Sequence, residues 1–218
     1  MQIYPEHELE AAPGLPEPLP AGERVLWQGS PDWKQLALEA FHVRQVAVYF
    51  ALMLGLQAIL SWDSAESLGS NLTPLAWSSS MAIIALGLLS FTAWMSAQTT
   101  LYTLTNRRIV MRIGIVLTIS FNLPLRWIAA AHLKTNADGS GDIALELTGL
   151  DRIAYLHLWP HARPWELSKA QPSLRCLHNV SAAGDLLHAA WIARQSELGG
   201  EDTRQPIPVR MPATAIAR

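Results

Sequence analysis

Charge is missing from two long stretches of this chain, and those gaps mark its first elements. Between Arg44 and Asp63 the sequence reads QVAVYFALMLGLQAILSW, with no Asp, Glu, Lys or Arg. A second uncharged stretch runs from Glu66 to Arg107, with an apolar heart from Leu75 to Ala97. A helix rises about 1.5 Å per residue, so roughly 20 apolar residues cross a bilayer's hydrocarbon. The pattern predicts transmembrane helices at about 45–62 and 75–97, joined by a short loop as a hairpin. Two buried core helices of a soluble protein are the competing reading.

After Ala97 the pattern changes to alternation, the strand signal. Ile109, Met111 and Ile113 oppose Arg108, Val110 and Arg112; Ile143, Leu145 and Leu147 oppose Asp142, Ala144, Glu146 and Thr148. Strands are predicted at about 99–105, 108–113, 116–121, 127–134, 143–148 and 153–158. Turns fall at Asn106, Gly114 and Asn136–Gly141. One dry and one wet face imply an antiparallel sheet that curls on itself. A third span at 109–131 competes, but Arg112, Asn122, Pro124 and Arg126 oppose it. A helix at about 181–197, with Ser181 as N-cap, carries Leu187, Ala190 and Trp191 on one stripe and closes the sheet.

At the N-terminus, residues 1–20 read as an extended acidic, Pro-rich arm. One more strand falls within 21–32, at Arg24–Gly29. Residues 33–44 read as an amphipathic lead-in to the hairpin, so the hairpin unit covers 33–98. The domain after it covers 99–197, and 198–218 read as a flexible tail. The first apolar run lies too deep for a cleaved leader.

Composition agrees with this layout. Charged residues are 16% of the 218, against about 25% in a typical soluble domain. The net charge of -2 excludes a strongly basic nucleic-acid binder. The single cysteine excludes an internal disulfide. Lys34 and Arg44 precede the hairpin, Arg107, Arg108 and Arg112 follow it, and its loop holds only Asp63 and Glu66. The positive-inside rule then puts both ends on the cytoplasmic side of the membrane. Trp62 and Trp77 flank the loop, and Trp94 sits near the other interface.

Candidate sites are few. Ala47, Ala51 and Gly55 line one face of the first helix, and Ser78 and Ala82 one face of the second. Such small-residue stripes let helices approach, either each other or a partner's helix. Arg107, Arg108, Arg112 and Arg126 form the strongest charge grouping. They read as a positive-inside anchor with a solvated strand face, or as contacts to anionic lipid headgroups. His42, just before the first charge-free run and with the small residue Ala40 nearby, reads as a plain interfacial histidine or as an imidazole placed to ligate a metal-centred group. His157 and His161 bracket Trp159–Pro160, which breaks helical metal-ligand spacing, so they read as loop histidines. Cys176, in a loop beside Arg175, reads as a buried neutral thiol, with a mildly acidified thiol as the alternative, and His188 as a surface or edge histidine. No phosphate loop, dinucleotide fingerprint or nucleophile elbow occurs. No ionisable residue lies within the apolar stretches, which speaks against ion transport.

"AGERVLWQGSP" before the hairpin, then "YTLTNRRIVMRIG" and "NLPLRWI", resembles the bacterial PH-like membrane domain family. Within it, "LPAGERVLWQGSPDWKQLALEAFHVRQVAVYFALML" resembles the photosynthetic complex assembly proteins of purple bacteria. The resemblance covers roughly residues 15–197. It implies an α+β membrane protein: a two-helix transmembrane hairpin inserted into a PH-like antiparallel β-barrel capped by a C-terminal helix. It further implies a non-catalytic assembly factor of a bacterial inner or intracytoplasmic photosynthetic membrane, without a resident cofactor, and makes bacteriochlorophyll magnesium the group that His42 would contact transiently. Its expected partners are reaction-centre and core-antenna subunits and the bilayer, with a homodimer as one arrangement and no nucleic acid. The alternative is a PH-like membrane protein that binds anionic lipid or tethers a partner.

Overall fold

The computed structural model describes residues 15, 17–62, 68–115, 117–148, 153–164, 166 and 170–202. Most of the N-terminal arm, the loop with Asp63 and Glu66, and the tail from 203 lie outside them. The chain begins with β1 (Val25–Gly29), then three helices: α1 (Trp33–Glu39), α2 (Val43–Trp62) and α3 (Leu68–Thr99). Next come β2 (Leu101–Thr105), β3 (Arg108–Ile113), β4 (Ile119–Pro124), a 3-10 turn at Leu125–Trp127, β5 (Ile128–Thr135) and β6 (Gly141–Leu147). One helical turn, α4 (Tyr155–Leu158), leads to β7 (Ser173–Leu177) and a long α5 (Val180–Asp202).

The strands form two antiparallel sheets, ordered β1-β2-β3-β4 and β5-β6-β7. The expected closed barrel does not form. The 3-10 turn redirects the chain between β4 and β5, and these two strands do not pair. The sheets instead share one core: Tyr102, Ile109, Met111 and Leu123 from the first meet Ile143, Leu145 and Leu174 from the second. Val180, Ala183, Leu187 and Ala190 of α5 complete it, and Trp191 Nε1 donates to the Ile128 carbonyl at 3.1 Å. The alternation across 109–131 is thus spent on strands, not on a third span.

Four sequence expectations are corrected. The segment at 153–158 is not a strand but ends in the α4 turn. β4 starts at Ile119 rather than 116, because Gly114 (φ +132) begins a loop that takes up the intervening residues. The seventh strand is β7, which the pattern did not reveal. α5 also runs five residues past the predicted 197, into the expected tail.

The lead-in is not one helix. Asp32 caps α1 by accepting from the Lys34 N–H at 2.7 Å. α1 ends at Ala40, and His42 takes a left-handed φ of 53° before α2 starts. Against α1 lie the last turns of α3 and strand β7: Leu36, Ala97 and Cys176 form a small buried cluster, packed by Ala40 and Phe41.

α2 and α3 pack together as a hairpin. Along α2, half-buried positions recur at Val46, Phe50, Leu54, Gln57 and Ser61, at three- and four-residue spacing. Their other faces are apolar and bare: Leu52 and Ile59 are each 70% exposed, Trp77 and Ile83 each 71%. Both helices are long and apolar enough to cross a membrane.

Candidate functional site

The two motifs that open the domain clasp each other. Asn106, in the β2–β3 turn, accepts from the Arg24 N–H at 2.9 Å and donates to the Gly22 carbonyl at 3.0 Å. Arg108 Nε donates to Glu23 Oε1 at 2.7 Å, and Thr105 Oγ1 donates to the same oxygen at 2.8 Å. Glu23's side chain is 2% exposed, so this ion pair is shielded on the carboxylate side. The Gly-Glu-Arg before β1 and the Thr-Asn-Arg-Arg after β2 are therefore two halves of one lock.

That lock divides the arginine grouping. Arg107, Arg108 and Arg126 lie at the turn end of the sheet, where the Leu125 N–H donates to the Arg107 carbonyl at 2.9 Å. Arg112 pairs with Leu101 at the opposite end, where α3 enters. Four residues of strand separate Arg108 from Arg112, about 13 Å. The four arginines do not form one patch, Arg108 is already paired, and Arg126 sits over the Trp127 ring at 5.9 Å.

The small-residue stripes also separate. Ser78 is half-buried and Ala82 is buried, on the face α3 turns inward. Ala47 is half-buried, whereas Ala51 and Gly55 are exposed. A Cβ added at Gly55 would meet nothing within 4 Å. The Ala51–Gly55 part of the stripe is not used between the two helices.

His161 departs most from expectation. It is not an open loop histidine but fully buried, where α3 meets the sheets. Tyr102 Oη lies 2.6 Å from its Nδ1, and Thr100 Oγ1 lies 3.1 Å from its Nε2. Thr100 Oγ1 donates to the Ser96 carbonyl at 2.7 Å, so its proton is committed and it can only accept from the ring. The ring is therefore the Nε2–H tautomer, with Nδ1 accepting from Tyr102. Tyr102 Oη in turn accepts from the Arg175 N–H at 3.3 Å. One directed chain of hydrogen bonds thus runs from β7 through β2 and His161 to the last turn of α3. Burial, then the charge of Arg175, pushes the His161 pKa down to about 3, and burial raises that of Tyr102. His157, on α4, is exposed and does not join His161.

Cys176 lies in β7 rather than a loop and is buried. Its φ of 54° takes it out of the regular ladder, and its N–H is met by Asp142 Oδ1 at 2.8 Å. Burial first, then Asp142, pushes its thiol up to about 12. His188 is exposed on α5.

His42 stands at the α1–α2 corner, on the wall of an open groove of about 1040 Å³. Ala40, expected to leave room beside it, is instead packed against the Leu36–Ala97–Cys176 cluster. Arg44, Lys134, Arg163 and Arg175 also line the groove, with Glu39 and Asp142 as its carboxylates among the described residues. Sequence spacing could not join these residues, since they come from α2, β5, the α4–β7 connection, β7, α1 and β6. No cluster of three or more His, Cys, Asp or Glu side chains suited to a metal occurs among the described residues.

The sequence profile of the family described as "Bacterial PH domain" matches residues 46–191. The chain belongs to this bacterial PH domain family. The match begins at the fourth residue of α2, so nearly all of the hairpin and strands β2 to β7 fall within the family unit, with β1 ahead of it. A relative from Rhodobacter capsulatus, described as an uncharacterized 23.7 kDa protein in the puhA 5' region, is 33% identical over 193 residues. That alignment covers 88% of this chain and 90% of the relative. No solved structure is significantly similar to the bacterial PH domain chain.

Proposed function

We propose that this bacterial PH domain protein is a non-catalytic, integral membrane assembly factor for the photosynthetic reaction centre and its core antenna. The observation that carries the reading is the bare apolar girdle of α2 and α3. In water, an exposed apolar surface of this extent is rare without a partner or a bilayer to cover it. The relative named for its place beside puhA supports the photosynthetic context, because that is a reaction-centre gene region. In this reading α2 and α3 cross the bacterial inner membrane, and the sheets and both chain ends lie on the cytoplasmic side. The Ala51–Gly55 face captures a partner subunit's helix, and the sheets meet that subunit's cytoplasmic part. The protein holds assembling subunits until their final neighbours displace it, and carries out no bond-making step.

Deleting the gene and recording the near-infrared absorption of the membranes tests this. Loss of the reaction-centre and core-antenna bands, restored by the gene in trans, is the expected result; a normal spectrum refutes it. The second reading is a PH-like membrane protein that binds anionic lipid. It draws its support from the basic groove at the α1–α2 corner rather than from the divided arginines of the sheet.

A further inference from the structure

The groove at the hairpin base has the charge and position of a headgroup site. Four cationic side chains, Arg44, Lys134, Arg163 and Arg175, face two carboxylates there, Glu39 and Asp142. The carboxylates are already engaged. Glu39 accepts from Lys134 at 3.0 Å and from Asn136 at 3.0 Å, and Asp142 accepts from the Cys176 N–H. Arg175 is only 5% exposed, yet its Nε makes no hydrogen bond. The nearest carboxylate oxygens stand off, Asp142 Oδ2 at 3.6 Å from Nε and Glu39 Oε2 at 3.9 Å from the terminal nitrogen. A buried guanidinium nitrogen left without an acceptor is a costly arrangement that an incoming anion relieves.

The first turn of α2 opens on the same groove through His42, Arg44 and Gln45. Its free N–H groups and the positive end of the helix dipole add to the field. Among the described residues Arg44 has no ion-pair partner, and the Arg163 guanidinium makes a neutral bond, to Gln171 at 3.0 Å. Directly beyond Arg44 begins the bare apolar surface of α2, with Val48, Tyr49 and Leu52 exposed. Tyr155 and Trp159 stand on the groove's other wall; Trp159 is 47% exposed and packs edge-on against Phe41 at 5.0 Å. Cations, then aromatics, then bare aliphatic surface is the order met on passing from headgroups into acyl chains.

We propose that this groove binds the phosphate of one anionic glycerophospholipid, with the acyl chains lying along α2. The assignment rests on the membrane-spanning reading above, and it moves lipid contact away from Arg107, Arg108 and Arg126. The test uses the full chain in neutral detergent micelles, titrated by calorimetry with dioctanoyl phosphatidylglycerol, dioctanoyl phosphatidylcholine and inorganic phosphate. Phosphatidylglycerol is expected to bind, phosphatidylcholine and phosphate far more weakly. Arg44→Gln with Arg163→Gln, two residues outside the buried core, is expected to weaken phosphatidylglycerol roughly thirtyfold. Arg107→Gln with Arg126→Gln is expected to leave it within about twofold.

Unchanged binding in the first double variant, or a loss in the second, overturns the groove assignment. Phosphate binding as tightly as phosphatidylglycerol overturns the lipid in favour of a free anion. Alkaline carbonate extraction of cell membranes stands apart from these titrations. Release of the chain would overturn the membrane-spanning reading and the lipid with it. Retention together with an unaffected Arg44/Arg163 variant overturns the groove alone.

Discussion

His161 makes stability depend on acid in a way one substitution isolates. Folded, the ring is buried and neutral, with a pKa near 3 against 6.5 in the open chain. Below 6.5 the unfolded chain takes up a proton that the folded chain refuses. The folded state binds fewer protons, so stability rises with pH and is lost as pH falls from 6.5 toward 3. At about pH 4.5 the deficit is two units, or about 3 kcal/mol. His161→Gln keeps the hydrogen-bond polarity, since an amide oxygen can accept from Tyr102 and an amide nitrogen can donate to Thr100. Glutamine does not titrate. Carboxylates and the other histidines act alike in both proteins and cancel in the comparison. Melting each protein in detergent near neutrality and at about pH 4.5 should show the wild type losing roughly 5–10 °C more than the variant. Equal losses in the two would refute the buried neutral ring.

Three further outcomes are expected. Gly55→Leu should leave the melting temperature unchanged yet weaken co-purification with the partner subunit, whereas Ala82→Leu, at a buried position, should cost about 1–3 kcal/mol by overpacking. Leu36→Ala should destabilise the chain by about 2–5 kcal/mol, read by thermal melting, because it empties the cluster joining α1 to α3 and β7. Cys176 should resist iodoacetamide at neutral pH and react on unfolding, since burial keeps it a thiol rather than a thiolate.

The hairpin was legible because an uncharged run is a strong signal, β3 and β6 because apolar and polar residues alternate along them, and β2 and β5 because turn residues bound them. β7 was not. Ser173, Leu174, Arg175 and Cys176 alternate polar and apolar, but the run is only five residues long, and its polar members are buried rather than marking a wet face. The 153–158 segment misled for the opposite reason: apolar and β-branched residues suggested a strand, but Leu156 is 85% exposed in a single helical turn. The α1–α2 break turns on one left-handed backbone angle at His42, which a histidine does not announce. Of the functional candidates, the sequence showed the small-residue stripes and the arginines but not their separation. His161 looked open because Trp-Pro-His-Ala reads as loop; its burial depends on Tyr102 and Thr100, some sixty positions away. The groove was invisible in the sequence because its walls come from six separate segments.

The lock between Glu23 and Thr105 joins residues 82 positions apart. During synthesis, Val25–Gly29 leaves the ribosome well before the strand it pairs with, and the whole hairpin must follow in between. The first strand therefore waits as an open edge while both helices find their environment, and only then does the sheet zip shut behind them. A nascent chain stalled anywhere before residue 105 keeps that edge unpaired, which makes translation pauses in this window the moment of greatest exposure to aggregation and proteolysis.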